Sequence, residues 1–234
     1  MKKMSFIDHL EELRMRTLKS IFIILFFSIV SYYFSDFIIQ FLVQPIKNNL
    51  INLQVLKITS VFLIKIGVSI ISGILFSFPF MLYQMLKFLL PAFEKKLTNF
   101  KIIVVSILCL SLFILGLFFG YKLLIPLSIA FFNSLSLNLD FVNLNYTLEN
   151  YLVYLIWILI ISSMIFQIPV IIVFLIKVGI LSREFLSSNR GYVIVFIFII
   201  AALLSPPDPI SQILIVIPLY VLFELSLFLT KFIK

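Results

Sequence analysis

Residues 101–121, KIIVVSILCLSLFILGLFFGY, carry one charge, at the first position, and five other long apolar runs are spread along the chain. A hydrocarbon layer about 30 Å thick calls for a helix of about 20 such residues. The runs are rich in Leu, Ile and Phe and lack the alternation of a barrel strand, so they read as helices. Six spans are expected, over about 19–41, 61–86, 101–121, 151–177, 191–204 and 210–229. The expected fold is an all-α membrane protein, a single membrane domain over residues 1–234. With 63% apolar and 12% charged residues, a soluble domain is excluded.

Cys109 is the only cysteine and lies inside a span, so neither an intramolecular disulfide nor a thiolate metal cluster can form. His9 is the only histidine, which excludes a haem held by two histidines of this chain. A phosphate-binding loop of the form GxxxxGK[ST] does not occur, so ATP hydrolysis is not expected here. These exclusions leave no enzyme, no metal and no cofactor, and any work must be driven by a gradient or a partner. The opening reads as lacking a transit peptide or cleaved leader. An abundance of Phe, Ile, Lys and Asn fits an AT-rich coding genome.

Lysine and arginine divide unevenly between the two sides. One side holds five before the first span, four between spans two and three, three between four and five, and two at the end, against Lys47, Lys57, Lys65 and Lys122 on the other. The positive-inside bias of fourteen to four places both termini on the cytoplasmic or stromal side. The net charge of +8 then reflects topology and anionic headgroups, with no nucleic-acid partner. Pro79, Pro169 and Pro218 fall in spans two, four and six, which run from outside to inside. An interior proline removes a backbone hydrogen bond at a cost of about 3 kcal/mol unless neighbours compensate, so bends are expected there.

Polar residues are few enough to take singly. In MSFIDHLEELRMRTLKS, Ser5 and Asp8 form an S-x-x-D capping box and Phe6, Leu10 and Leu13 recur at helical spacing, giving a short amphipathic inner-face helix over 1–18. Asp8, Glu12 and Arg16 share one stripe, which is either an ordinary Glu12–Arg16 surface pair or a carboxylate that receives a partner's guanidinium. Gln167 in FQIP lies near mid-span, where its amide could satisfy backbone groups freed by Pro169. Glu224 lies about 20 Å along the last span, either deep and functional or reaching the inner interface. Lys65 is expected to snorkel. Asp208, among Pro206, Pro207 and Pro209, reads as a cap for the last helix, which opens with Ser211 and Gln212.

In combination, HLEELRMR at 9–16, LYQMLKFLLPAF at 82–93, FQIPV at 166–170, NRGYV at 189–193 and SPPDPISQILIVIPLYVLFE at 205–224 resemble the TatC family. This family supplies the multi-span subunit of the twin-arginine protein translocase, and the wording is most similar to its cyanobacterial and plastid branch. The resemblance implies a glove-shaped, concave six-helix bundle that receives folded precursors with paired-arginine signal peptides. Glu12 would engage the arginines, with Glu11, Asp8, Arg14 and Phe88 around it. A family carboxylate beyond Phe88 is matched here by Leu97, with Glu94 the nearest acid. Gln167, Asp208, Gln212 and Glu224 match family polar positions used in partner docking or transport, and Pro206 and Pro207 would stiffen the loop between the last two short helices.

Implied partners are single-span TatA- or TatB-type subunits, the precursors, the lipid bilayer and further copies of the chain. Transport would draw on the proton gradient across a plastid thylakoid membrane, or across a bacterial inner membrane as the alternative. A six-helix permease for small solutes or ions is the rival reading, but such carriers show repeated halves and convergent deep polar groups. A passive assembly factor is a third.

Overall fold

A computed structural model describes residues 6–47, 53–93, 99–137, 146–204 and 209–232. Helix α1 (Phe6–Tyr33) runs unbroken from the amphipathic opening into the first apolar run. The separate inner-face helix expected over 1–18 is therefore continuous with the span. Neither glycine nor proline occurs from residue 6 to 44, and the apolar run starts on the turn after Lys19. The run expected over 19–41 is instead cut at Phe34, where α2 (Ser35–Lys47) leaves at 78° to α1. Ser35 and Asp36 mark the cut, since both residue types favour helix starts and Asp36 sits in the positive first turn of α2.

Helix α3 (Ser60–Phe93) follows, and α4 (Asn99–Phe119) passes through a π-helical turn, Gly120–Leu124, into α5 (Ile125–Leu137). The span expected to stop at residue 121 thus belongs to a longer helical column. Helix α6 (Leu148–Ile165) begins on Thr147, whose hydroxyl accepts from Asn150 N. Helix α7 (Ile168–Val178) begins after a break at Phe166–Gln167 and ends on Gly179, at φ 80°. The short α8 (Arg183–Ser188) is capped by Ser182. Helices α9 (Arg190–Leu204) and α10 (Pro209–Leu229) complete the order, with a 3-10 turn at Thr230–Phe232. Among the described residues the only β pairing is an isolated parallel bridge between Gln54 and Thr147.

Pro169 falls in the first turn of α7, where a missing N–H is harmless. The expectation that the Gln167 amide caps the break is corrected: that side chain does not cap α7. Backbone bonds close the break, from Phe166 N to Ser162 O (3.1 Å), Gln167 N to Met164 O (2.9 Å) and Val170 N to Gln167 O (3.0 Å).

The chain divides into two compact units, residues 1–44 with 55–110 and residues 45–54 with 111–234. In the first, α1 lies along α3 with small residues at the contact. A Cβ on Gly73 would fall 2.6 Å from Ser28 N and 2.7 Å from Ser28 Cα, so only glycine permits this approach. Ser31 and Ser69 are buried in the same unit. In the second unit, Gly116 and Gly120 of GLFFG bring α4 and the π turn against Ser162 and Ser163 of α6. This small-residue spacing is the pattern by which helices approach closely without water to drive them together. Buried Ser162, Ser163, Ser226 and Thr230 hydroxyls donate to carbonyls one turn back on their own helices, so they enter these contacts already satisfied.

Large apolar side chains face outward on α1 (Phe22, Ile29), α3 (Phe62), α4 (Ile107), α6 (Trp157) and α9 (Phe196, Leu203). That surface suits hydrocarbon as solvent and not water. Ser60–Phe88, Ile103–Ser134, Leu148–Val178 and Gln212–Leu229 are each long and apolar enough to cross a bilayer, and the bent α1–α2 pair passes the same test when taken together. Arg190–Leu204 is a shorter apolar helix.

Candidate functional site

Two polar clusters interrupt this apolar surface, one in each unit. The first is built on α1 and α3. Glu12 and Arg16 stand one turn apart on α1, and Arg16 donates from Nε to Glu12 Oε1 at 3.0 Å and also from a terminal nitrogen to the same oxygen. Its other terminal nitrogen reaches α3, to Gln84 Oε1 at 3.1 Å and Gln84 O at 3.3 Å. The pair is partly shielded, Arg16 at 15% and Glu12 at 30% side-chain exposure, so the attraction is less screened than in a free surface pair. The i,i+4 pairing follows from the spacing. The link to Gln84 requires α3 and carries no local mark beyond a polar residue in an apolar run.

Glu11 and Arg14 are exposed on α1, and Phe88 is half-buried one turn beyond Gln84 on α3. Beside Gln84 a cavity of about 420 Å³ opens, lined by Met15, Leu18, Lys19, Phe22 and Ile23. The structure thus brings Glu12, Arg16 and Gln84 together with an apolar recess beside them. The Asp8 side chain lies outside the described residues, as do Glu94 and Leu97.

At the other end of α1, Lys65 does not snorkel but pairs with Asp36, Nζ to Oδ1 at 2.7 Å and to Oδ2 at 2.9 Å, which ties the elbow between α1 and α2 to α3. Asp36 is 71% exposed, so the pair contributes at most about 1 kcal/mol.

The second cluster joins α9 to α10. Arg190 meets Glu224 with both prongs, Nε to Oε1 at 2.8 Å and a terminal nitrogen to Oε2 at 3.3 Å, while Tyr220 donates to Oε1 at 2.9 Å. Glu224 is therefore no isolated intramembrane acid. Arg190 is the first residue of α9, which sets Glu224 near a helix end and supports the interfacial alternative for it. Farther along, Gln212 Nε2 donates to Phe198 O at 3.0 Å. Gln167 is half-buried at the α6–α7 break, away from both contacts. Pro206, Pro207 and Asp208, with the cap assigned to Asp208, lie outside the described residues. Reading the sequence by types missed Gln84, Arg190 and Tyr220, although the first two lie in the quoted LYQMLKF and NRGYV stretches. Among the described residues no group of His, Cys, Asp and Glu is placed to hold a metal.

Apolar helices in this number, broken by a few paired polar residues, define a multi-pass integral membrane protein. The family model described as Sec-independent protein translocase protein (TatC) matches residues 8–218. The chain is 32% identical over 234 residues to the Sec-independent protein translocase protein TatC of Carboxydothermus hydrogenoformans, covering 100% of this chain and 95% of that one. It is 32% identical over 232 residues to TatCy of Bacillus subtilis, covering 98% and 89%. A crystal structure of the twin arginine translocase receptor TatC aligns with a TM-score of 0.75 at 31% identity, covering 96% of this chain and 98% of that one. The chain belongs to the TatC family of Sec-independent protein translocases. Its six membrane helices and its role as a translocase component, not a permease, follow from that membership.

Proposed function

We propose that the chain is the receptor subunit that binds paired-arginine signal peptides of folded precursors, with Glu12 as the acceptor for a ligand guanidinium. One observation carries this reading: the Glu12 carboxylate already accepts two N–H groups from a guanidinium, that of Arg16. Its position and partial exposure suit fork recognition, which a compact ammonium cannot reproduce. Glu11, Arg14 and Phe88 border the site, and Asp8 and Glu94 are assigned to it by sequence. Both termini and this cluster face the cytoplasmic or stromal side.

The second part of the proposal concerns assembly. Helices α9 and α10, with Gln212, Glu224 and the Pro206–Pro207–Asp208 loop, offer the face for single-span TatA- or TatB-type partners, and transport draws on the proton gradient. The setting is a thylakoid membrane, with a bacterial inner membrane as the alternative that the genome of origin decides. The test places a photo-crosslinker at Leu13, beside Glu12, and offers precursors bearing Arg-Arg or Lys-Lys. A strong loss with Lys-Lys is expected, and Glu12→Gln lowers the Arg-Arg yield about tenfold. Equal yields for the two precursors would sink the receptor assignment.

A further inference from the structure

The carboxylate assigned to an incoming guanidinium is in contact with one from its own chain. Arg16 bridges two sets of acceptors, Glu12 Oε1 on α1 and both the side-chain and backbone oxygens of Gln84 on α3. A guanidinium has five N–H donors in one plane, so a single fork can serve both at once. We propose that Arg16 is an internal occupant of the Glu12 site that competes with a ligand arginine, and that Gln84 receives Arg16 when the ligand displaces it. This inference rests on the reading of Glu12 as a ligand acceptor.

The geometry supports the exchange in three ways. First, Arg16 lies one turn from Glu12, so its local concentration there is high without any ligand. Second, Gln84 already holds the far nitrogen at 3.1 and 3.3 Å, so a rotation of the outer torsions moves the fork toward α3 while its charge keeps two acceptors. Third, Gln84 is neutral, so its hold on a cation is weaker than a carboxylate's, and Arg16 returns when the site empties. Specificity follows from the competition. A ligand must exceed a fork-to-carboxylate contact to enter, which a lysine ammonium with no fork does poorly. Gln84 is therefore a positioning residue acting through Arg16, and Arg16 sets discrimination.

The full chain in phosphatidylglycerol–phosphatidylcholine nanodiscs, titrated with labelled signal peptides bearing Arg-Arg or Lys-Lys, tests this. Arg16→Gln is expected to tighten Lys-Lys binding about fivefold and to narrow the preference for Arg-Arg. Gln84→Ala strands Arg16 on Glu12 and weakens Arg-Arg binding about fivefold, and the double variant loses that effect. Arg16→Lys keeps the charge and removes the fork, so it must narrow the preference even if Arg16→Gln folds poorly. A drop in Arg-Arg binding with Arg16→Gln as large as that with Glu12→Gln would overturn the proposal. So would a Gln84→Ala effect that persists without Arg16. If the unaltered chain fails to discriminate and Glu12→Gln changes nothing, the receptor reading falls and this inference with it; if discrimination is intact but insensitive to Arg16, only the inference falls.

Discussion

Gly67 and Gly73 lie six residues apart on α3 and meet opposite surroundings: nothing stands within 4 Å of a Cβ built on Gly67, while one on Gly73 strikes the α1 backbone at Ser28. Gly73→Val is expected to destabilise by about 1–3 kcal/mol through overpacking. Gly67→Ala is expected to be neutral or to stabilise by about 0.5–1 kcal/mol, since it lowers chain freedom at no steric cost. Thermal unfolding of the two variants in detergent separates these outcomes, and equal losses would refute the packing account. Ser28 makes the same contact from α1 with a hydroxyl that has no partner, so Ser28→Ala should leave the unfolding temperature unchanged or raise it. At this scale the sequence was legible where partners are local. The Glu12–Arg16 pair follows from i,i+4 spacing, but Gln84, Arg190 and the Ser28–Gly73 approach each need a second helix to acquire meaning.

Polar contacts at two levels fix α9 against α10: Arg190–Glu224 near the start of α9 and Gln212 to the Phe198 carbonyl farther along. The ion pair is partly solvated, with side-chain exposures of 47% and 34%, so Glu224→Gln should lower stability by no more than about 1 kcal/mol. Arg190→Glu is expected to do more harm by setting two carboxylates together, and the swapped pair Arg190→Glu with Glu224→Arg should recover most of the loss. Limited proteolysis between α7 and α9 reads this out; a swap no better than the single change would show that the charges do not meet. The helices themselves were largely legible from apolar length. Their interruptions were not: the cut at Phe34 depends on a Ser-Asp start and an ion pair to Lys65, and the break at Phe166–Gln167 on backbone bonds that type and hydropathy do not encode.

Across the molecule, hydropathy carries most of the architecture because a bilayer forces backbone groups to be satisfied within each span. Orientation rests on charge, and labelling tests it directly. Leu56→Cys, at 73% exposure, should react with an impermeant maleimide only from the outer side and Glu11→Cys only from the inner side. Native Cys109, at 2% exposure, should stay silent from both. Labelling of both introduced cysteines from one side would reverse the topology. The candidate site was readable to the extent that family motifs surround it, and its cross-helix half was not. The π turn at Gly120–Leu124 has an evolutionary corollary. Each residue of a helix advances the phase by about 100°, so removing one residue here would rotate everything beyond it by that angle. Ile125 and Ile129, now buried, would swing away from their neighbours. Single deletions should therefore be purged from this turn while substitutions at exposed Lys122 drift freely, and the turn acts as a vernier between the two halves of one long helical column.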